Sequence, residues 1–179
     1  LDHPQSCAVI AELRDRGVTV EENASQCYIT LTYLAGGHGF VTGNTPQTVF
    51  YGEDGLPVLA TPWNEYDFAQ WSDGRQDNPR VDLDNTADLT VTAEFTLKQY
   101  TVSYTAGEHG AIAGAATQTV LHGGEATPVT AVPDENYHFV QWSDGRTEST
   151  RWDTNVTEDR SFSASFEINS YMLTYLAKE

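Results

Sequence analysis

The residues of this chain that come closest to a reactive or ligand-binding set lie in one short segment. Trp71-Ser72-Asp73-Gly74-Arg75 groups a hydroxyl, an acid and a basic side chain around an Asp-Gly pair, which favours a turn. A turn of this composition can grip a charged ligand. The structural alternative is that the tryptophan fills a core, Asp-Gly makes the turn and Arg75 pairs with a nearby carboxylate. The sequence favours the structural alternative.

Acidic residues near this segment, and their counterparts further along the chain, offer the oxygen ligands that a hard cation such as calcium prefers. They are Asp73, Asp77, Asp82 and Asp84, followed by Asp144, Glu148 and Asp153. Their spacing fits no calcium-binding loop. His38 and His109 lie in Gly-rich turns, where a metal site would need two or more further ligands close by. We therefore predict no metal site and no cofactor.

The serines of these turns do not resemble catalytic nucleophiles. Ser72 and Ser143 lie outside any Gly-x-Ser-x-Gly elbow, and the chain has no glycine-rich phosphate-binding loop. No set of nucleophile, base and orienting group stands out. The sequence therefore predicts a protein that is not an enzyme.

The turn segment belongs to a long internal repeat. Residues 66–75 recur as residues 137–146, a shift of 71 positions, and the same shift aligns residues 39–95 with 110–166 without a gap. A repeat of this length indicates tandem copies of one structural module. Trp71 and its counterpart Trp142 are then parts of a scaffold.

Hydrophobic residues within each copy follow a period of two. Ile29, Leu31 and Tyr33 alternate with polar residues, which is typical of half-buried strands. The same alternation occurs in residues 89–95, and shorter strands are predicted over residues 47–51, 58–61, 66–71 and 80–83. No convincing amphipathic helix lies within a copy. The predicted fold class is mainly β, with two tandem small β-sheet modules.

A small module depends on its large aromatic residues for burial. We predict a structural core from the repeated aromatics Tyr66, Phe68, Trp71 and Phe95 with Tyr137, Phe139, Trp142 and Phe166. Trp63 and Trp152 have no tryptophan counterpart in the other copy. They are candidate ligand contacts, for stacking on a sugar ring or anchoring a protein, with module-specific packing as the alternative.

These patterns divide the chain into four parts. Residues 28–98 and 99–169 form the two modules, and residues 170–179 form the first strand of a third copy, which predicts a longer array. Residues 1–27 form a separate helix-strand cap. Because only residues 96–99 join the two modules, we expect a short, stiff junction and an elongated shape.

The N-terminal cap contains both cysteines of the chain. Ser6 predicts a helix cap for a helix from Cys7 to Arg16, and residues 18–20 predict a strand. A disulfide between Cys7 and Cys27 would stabilise an exported protein by about 3 kcal/mol. Two buried free thiols are the alternative.

The charge of the chain limits its partners. The net charge is −17, with 26 acidic residues against nine Lys and Arg, so nucleic acid and anionic lipid are disfavoured. No run of about 20 apolar residues is present, so we predict no membrane insertion of these residues.

The repeated pattern resembles the divergent InlB B-repeat family. The likeness rests on a Gly-containing turn, the Pro-Val strands at residues 57–58 and 128–129, and the aromatic-x-Phe-x-x-Trp segment, each present twice. The resemblance implies β-grasp-like modules of a bacterial secreted or cell-surface protein. They would act as a spacer or stalk, in adhesion to protein or glycan, or alternatively as a carbohydrate- or host-ligand-binding module. The segment from Cys7 to Val20 resembles the last unit of a leucine-rich repeat domain.

Overall fold

The computed structural model describes residues 3–19 and 27–174. The chain forms two compact units that divide between Leu97 and Lys98. The prediction of a mainly β protein is confirmed, because strands dominate both units and the described residues contain one α-helix. That helix does not reach the length and apolar character needed to cross a membrane.

The first unit contains the N-terminal helix and the strands of module 1: α1 (His3–Asp15), β1 (Tyr28–Ala35), β2 (Gly39–Thr42), β3 (Gln47–Phe50), β4 (Leu59–Pro62), β5 (Tyr66–Trp71) and β6 (Leu89–Leu97). The second unit contains module 2: β7 (Gln99–Ala106), β8 (Gly110–Ala113), β9 (Thr117–Leu121), β10 (Val129–Pro133), β11 (Tyr137–Trp142), β12 (Thr150–Arg151) and β13 (Arg160–Ile168).

Each module has a four-stranded sheet with its first and last strands at the centre. The strand order is β3-β1-β6-β5 in module 1 and β9-β7-β13-β11 in module 2. The central pairs β1–β6 and β7–β13 are parallel, whereas the outer strands pair antiparallel. The chain therefore enters each sheet at one end and leaves it at the other.

A second, smaller sheet completes each module. Strands β2 and β4 form a two-stranded ribbon in module 1, and β8 and β10 form its counterpart in module 2, where β12 adds a third strand. The alternating residues of β1 explain how the layers meet, because Ile29, Leu31 and Tyr33 are buried while Thr30 is exposed. They pack with Val58 and other apolar residues in the core of module 1.

The ribbons differ from the sequence-based expectation. Strands β2 and β8 contain Gly39 and Gly110, which suggested turns. A Cβ on either glycine would lie within about 2.4 Å of the ring of Phe95 or Phe166, respectively. Glycine occurs here because a strand backbone passes directly over an aromatic ring.

The predicted strand over residues 80–83 is wrong. Module 1 has only an isolated bridge between Val58 and Arg80, and module 2 has the two-residue strand β12. Arg80 and Asp82 are both buried and bond to each other, and Asp84 has a positive φ of 50°. The pairing of this segment therefore stops at Arg80, and the backbone bends at Asp84.

The N-terminal segment also departs from the prediction. Helix α1 begins at His3, before Ser6, and Pro4 in its first turn is compatible with a helix start. It ends where expected, since Gly17 has a φ of 75° and its N–H donates to the carbonyl of Arg14. Val18 and Thr19 form no strand, and Val20 lies outside the described residues.

Helix α1 packs against module 1. Cys7 is disulfide-bonded to Cys27, and both residues form a small apolar cluster with Phe50. The guanidinium of Arg14 lies 4.0 Å from the centre of the Phe50 ring. In module 2 the position of Phe50 is taken by Leu121, which is half exposed.

Residues 170–174 form no strand, although the repeat pattern predicts one. Strands β1 and β7 are held between partners from their own modules, and the described part of the chain contains no such partners for a third copy. Tyr171 and Leu173 are accordingly exposed, and Tyr175 lies outside the described residues.

Candidate functional site

The repeated Trp-Ser-Asp-Gly-Arg turn closes over the core of each module. Trp71 ends β5 and is completely buried, and its indole N–H donates to the carbonyl of Asp77 at 3.0 Å. The Trp71 carbonyl accepts a bond from Gly74, whose φ of 86° suits glycine. This turn carries Asp73 and Arg75 to the edge of the core.

Arg80 is the centre of the site and is only 1% exposed. Its guanidinium forms two hydrogen bonds of 2.7 Å with Asp82 and two of 2.7–2.8 Å with Asp73. It also lies 5.5 Å from the centre of the Trp71 ring. The two carboxylates neutralise the buried charge of Arg80 and accept its hydrogen bonds.

Tyr33 of β1 ties this ion pair to the main sheet. Its hydroxyl donates to Asp82 at 2.8 Å. Burial and this hydrogen bond raise the pKa of Tyr33. Burial alone would raise the pKa of Asp82, but hydrogen bonds from Arg80 and Tyr33 outweigh burial and lower it. The carboxylate therefore stays ionised and the tyrosine stays neutral at neutral pH.

Arg75 covers the outer side of the site. It donates to Asp82 at 2.6 Å and to both oxygens of Asp77 at 2.7–2.9 Å. Hydrogen bonding to Arg75 lowers the pKa of Asp77, and hydrogen bonding to Arg80 lowers the pKa of Asp73. Arg75 therefore pairs with nearby carboxylates, which is the structural alternative that the sequence favours.

Module 2 repeats the buried part of the network. Arg151 bonds Asp153 at 2.7–2.8 Å and Asp144 at 3.0–3.2 Å, and the Tyr104 hydroxyl donates to Asp153 at 2.8 Å. The outer part is looser, because Arg146 lies 3.6 Å from Asp144 and 3.7 Å from Asp153. The inner ion pairs are thus common to both modules.

The charged side chains of this arrangement pair with one another. The carboxylates that were candidate calcium ligands, Asp73, Asp77 and Asp82, are engaged by arginines. Among the described residues, no group of three or more His, Cys, Asp or Glu side chains is arranged to hold a metal ion. Ser72 and Ser143 accept backbone hydrogen bonds from Thr92 and Ser163, respectively, which fixes the turn to the neighbouring strand.

The predicted core aromatics occupy three different environments. Trp71 and Trp142 are fully buried. Half-buried phenylalanines pack against the two cores: Phe68, Phe95, Phe139 and Phe166. Tyr66 and Tyr137 are half-buried, and their rings stack at 4.1 Å on His38 and His109. Both histidines have a positive φ, of 78° and 70° respectively.

Trp63 and the cysteines lie outside the ion-pair network, whereas Trp152 lies at its edge, between Arg151 and Asp153 in the sequence. Trp63 and Trp152 are both about half exposed. The backbone carbonyl of Trp152 accepts a bond from Arg146, and the ring of Trp63 contacts His38. Cys7 and Cys27 are joined in the disulfide that holds α1.

Sequence analysis assigned no role to the buried arginines. Arg80, Asp82 and Tyr33 all recur after 71 residues, as Arg151, Asp153 and Tyr104. Identical charged residues in two copies of a scaffold are the pattern that could have indicated a buried ion pair. A single sequence does not distinguish them from solvated charges.

The ion pairs predict how stability depends on pH. The folded-state pKa of Asp153 is lowered by Arg151 and Tyr104 against the effect of burial, so its contribution is complete above the unfolded pKa of about 3.9 and is lost as the pH falls further. The pKa of Tyr104 is raised by burial and by Asp153, so stability is lost above about pH 10. We therefore expect the free energy of unfolding, measured with urea, to change little between about pH 4 and about pH 10.

An Asp153→Asn variant provides the control for the acid limb. It should be less stable at neutral pH and should lose less stability than the unmodified chain below about pH 4. The difference in stability between the variant and the unmodified chain removes the contribution of the exposed acidic residues, which are the same in both proteins. Equal acid losses in both proteins would contradict the assignment of the carboxylate.

The two modules, with the same sheets and the same ion-pair network, define a tandem β-repeat protein. The family model of the divergent InlB B-repeat domain matches residues 29–99 and again residues 100–170. The chain belongs to the divergent InlB B-repeat family. Streptococcal High Identity Repeats in Tandem (SHIRT) domains 3-4 from a cell surface protein are 16% identical, with a TM-score of 0.28, over 79% of this chain and 98% of that chain. A comparison with curated proteins finds no match.

Proposed function

We propose that this chain is a non-catalytic structural repeat region of a bacterial secreted or cell-surface protein, where it acts as a spacer. The observation that carries the proposal is the parallel pairing of the first and last strands at the centre of each sheet. Tension on the two ends of a module then acts along β1 and β6 in opposite directions. It loads the whole row of hydrogen bonds between them at once, rather than opening them one at a time.

The ion-pair network supports this role. Tyr33 on β1 holds Asp82, and Asp82 holds Arg80 in the long connection between β5 and β6. The same connection is fixed to the end of β5 by Asp73. The network thus links the strand at the start of a module to the segment that leads into its last strand. A spacer benefits from such links because they oppose local opening.

Two features support a location outside the cytoplasm. The family resemblance implies a bacterial secreted or cell-surface protein, and the Cys7–Cys27 disulfide suits an oxidising compartment. The β-grasp-like arrangement and the leucine-rich repeat likeness of Cys7 to Val20 remain predictions.

Small-angle scattering tests the spacer role in solution. A compact chain of 179 residues would have a radius of gyration of about 16 Å. We expect a clearly larger value and an elongated distance distribution, because the junction between the modules is short. A radius of gyration close to the compact value would contradict the spacer proposal.

Ligand binding in adhesion, to a protein or glycan at a cell surface, is the second candidate. The exposure of Trp63 and Trp152 favours it, since large aromatic side chains on a soluble surface are candidates for contact with a partner. A glycan array with and without calcium tests this candidate, and silence across the array would count against it.

A further inference from the structure

The ribbon of module 1 presents an apolar face to solvent. Gly39 and Val41 face the core, so Phe40 and Thr42 point away from it. Their partners across the ribbon are Thr61 and Leu59, which share this outer face. Phe40 is 48% exposed and Leu59 is 42% exposed. Neither residue contributes to the buried cluster of the module.

Trp63 extends this face beyond the end of β4. Its backbone N–H donates to the carbonyl of His38, which adds one more pair to the ribbon, and its side chain is 53% exposed. The Trp63 ring meets His38 edge-on at 5.6 Å, and His38 is stacked on Tyr66. The indole thus contacts His38 along one edge and leaves much of its surface open to solvent.

The same face of module 2 has a different character. The 71-residue shift places Ala111 at the position of Phe40, Thr130 at that of Leu59 and Asp134 at that of Trp63. The ribbons of the two modules nevertheless pair in the same register over these positions. The scaffold therefore does not require exposed aromatics here, and their presence in module 1 needs another explanation.

We propose that the outer face of the β2–β4 ribbon in module 1, formed by Phe40, Leu59 and Trp63, binds a neutral oligosaccharide. Aromatic rings stack on the apolar faces of sugar rings. The threonines between them offer hydroxyls, and Thr42 donates weakly to the carbonyl of Leu59 at 3.4 Å, which leaves its oxygen free to accept. This proposal rests on the ligand-binding candidate above, for which it names a ligand class and a face, and it is independent of the spacer role.

The size of the face favours a sugar chain over a protein. Three half-exposed side chains of this kind offer roughly 300 Å² of apolar surface. A stable protein interface buries about 800 Å² on each partner. A patch of a few hundred Å² is large enough to be functional on a soluble protein, yet it covers only a few sugar rings.

The charge of the face favours a neutral ligand. All five of its outward residues are uncharged: Phe40, Thr42, Leu59, Thr61 and Trp63. The net charge of the whole chain is −17, which repels anionic glycans at low ionic strength. A neutral chain meets no such repulsion.

The test titrates the full chain with three neutral hexasaccharides and one anionic control. The probes are hexamers of β-1,4-linked glucose, β-1,4-linked N-acetylglucosamine and α-1,4-linked glucose, with hexagalacturonate as the control. We expect at least one neutral hexamer to change the tryptophan fluorescence to saturation, and hexagalacturonate to bind more weakly.

Two variants place the residues of module 2 on the face of module 1. Trp63→Asp and Phe40→Ala should each weaken binding of that hexamer at least tenfold, while their melting temperatures change little because both side chains are exposed. Leu121→Ala removes an equally exposed apolar side chain in module 2, which belongs to no proposed ligand contact, and should leave the affinity unchanged within twofold. Binding by the two ribbon variants is followed by isothermal titration calorimetry.

Three results would overturn the proposal. The first is that none of the neutral hexamers binds. The second is that Trp63→Asp and Phe40→Ala bind as tightly as the unmodified chain. The third is that sedimentation shows self-association of the unmodified chain that both variants abolish, since the face would then be a contact between copies. None of these results bears on the spacer role, which scattering tests separately.

Discussion

Replacing Arg151 by methionine is expected to lower the free energy of unfolding of module 2 by about 3–5 kcal/mol. Methionine fills part of the space but leaves Asp153 and Asp144 without their main cation. Asp153 is only 2% exposed, so its charge would remain in a poorly solvated site. Arg80→Met should have a smaller effect in module 1, because Arg75 still donates to Asp82 at 2.6 Å.

Arg146→Met is the matched control within module 2. Arg146 is about half exposed, and its nearest carboxylate oxygens lie 3.6–3.7 Å away. Its loss should cost no more than about 1 kcal/mol. Urea unfolding followed by tryptophan fluorescence measures both variants, since Trp142 lies in this core. Equal losses for Arg151→Met and Arg146→Met would show that burial of the ion pair is not what stabilises the module.

Removing the disulfide is expected to weaken the docking of α1 by about 3 kcal/mol. Cys7 and Cys27 close a loop across 20 positions, and a free helix of 13 residues is marginal in water. In the Cys7→Ser, Cys27→Ser double variant, the helix should lose hydrogen-exchange protection. Phe50, now covered by the helix, should become accessible.

Module 2 and chemical reduction supply the controls for this experiment. Exchange rates in module 2 should not change, because Leu121 at the position of Phe50 is already half exposed. A thiol reductant should release the helix of the unmodified chain and have no effect on the double variant. Full protection of α1 in the double variant would contradict a role for the disulfide in holding the helix.

The sequence was most informative where a pattern depended on local periodicity or repetition. The 71-residue shift revealed two copies, and the alternation of Ile29, Leu31 and Tyr33 predicted β1. Both patterns arise because the side chains that face the core are hydrophobic, and hydrophobicity can be read directly from the sequence. A mainly β fold was therefore predictable without knowledge of the sheet order.

The structure differs from the sequence-based predictions where tertiary contacts override the local conformational preference of a residue. Gly39 suggested a turn, whereas its strand conformation is explained by the ring of Phe95 beneath it. Residues 80–83 alternate as a strand would, but only Arg80 forms a bridge, to Val58, and Asp84 has a positive φ. The residue that explains the conformation of Gly39 lies far along the chain, and the contacts of Arg80 and Asp82 depend on their burial. Neither feature can be read from composition or period.

Single-molecule pulling on the two ends of the chain tests the central claim most directly. If each module is a force-bearing unit with its first and last strands paired in parallel, the chain should show two discrete unfolding events. Each event should lengthen the chain by roughly 200 Å, as expected for about 70 residues becoming extended. Arg80→Met and Arg151→Met should each lower the force of one event. Gradual extension without two discrete events would contradict the claim that these modules are mechanical spacers.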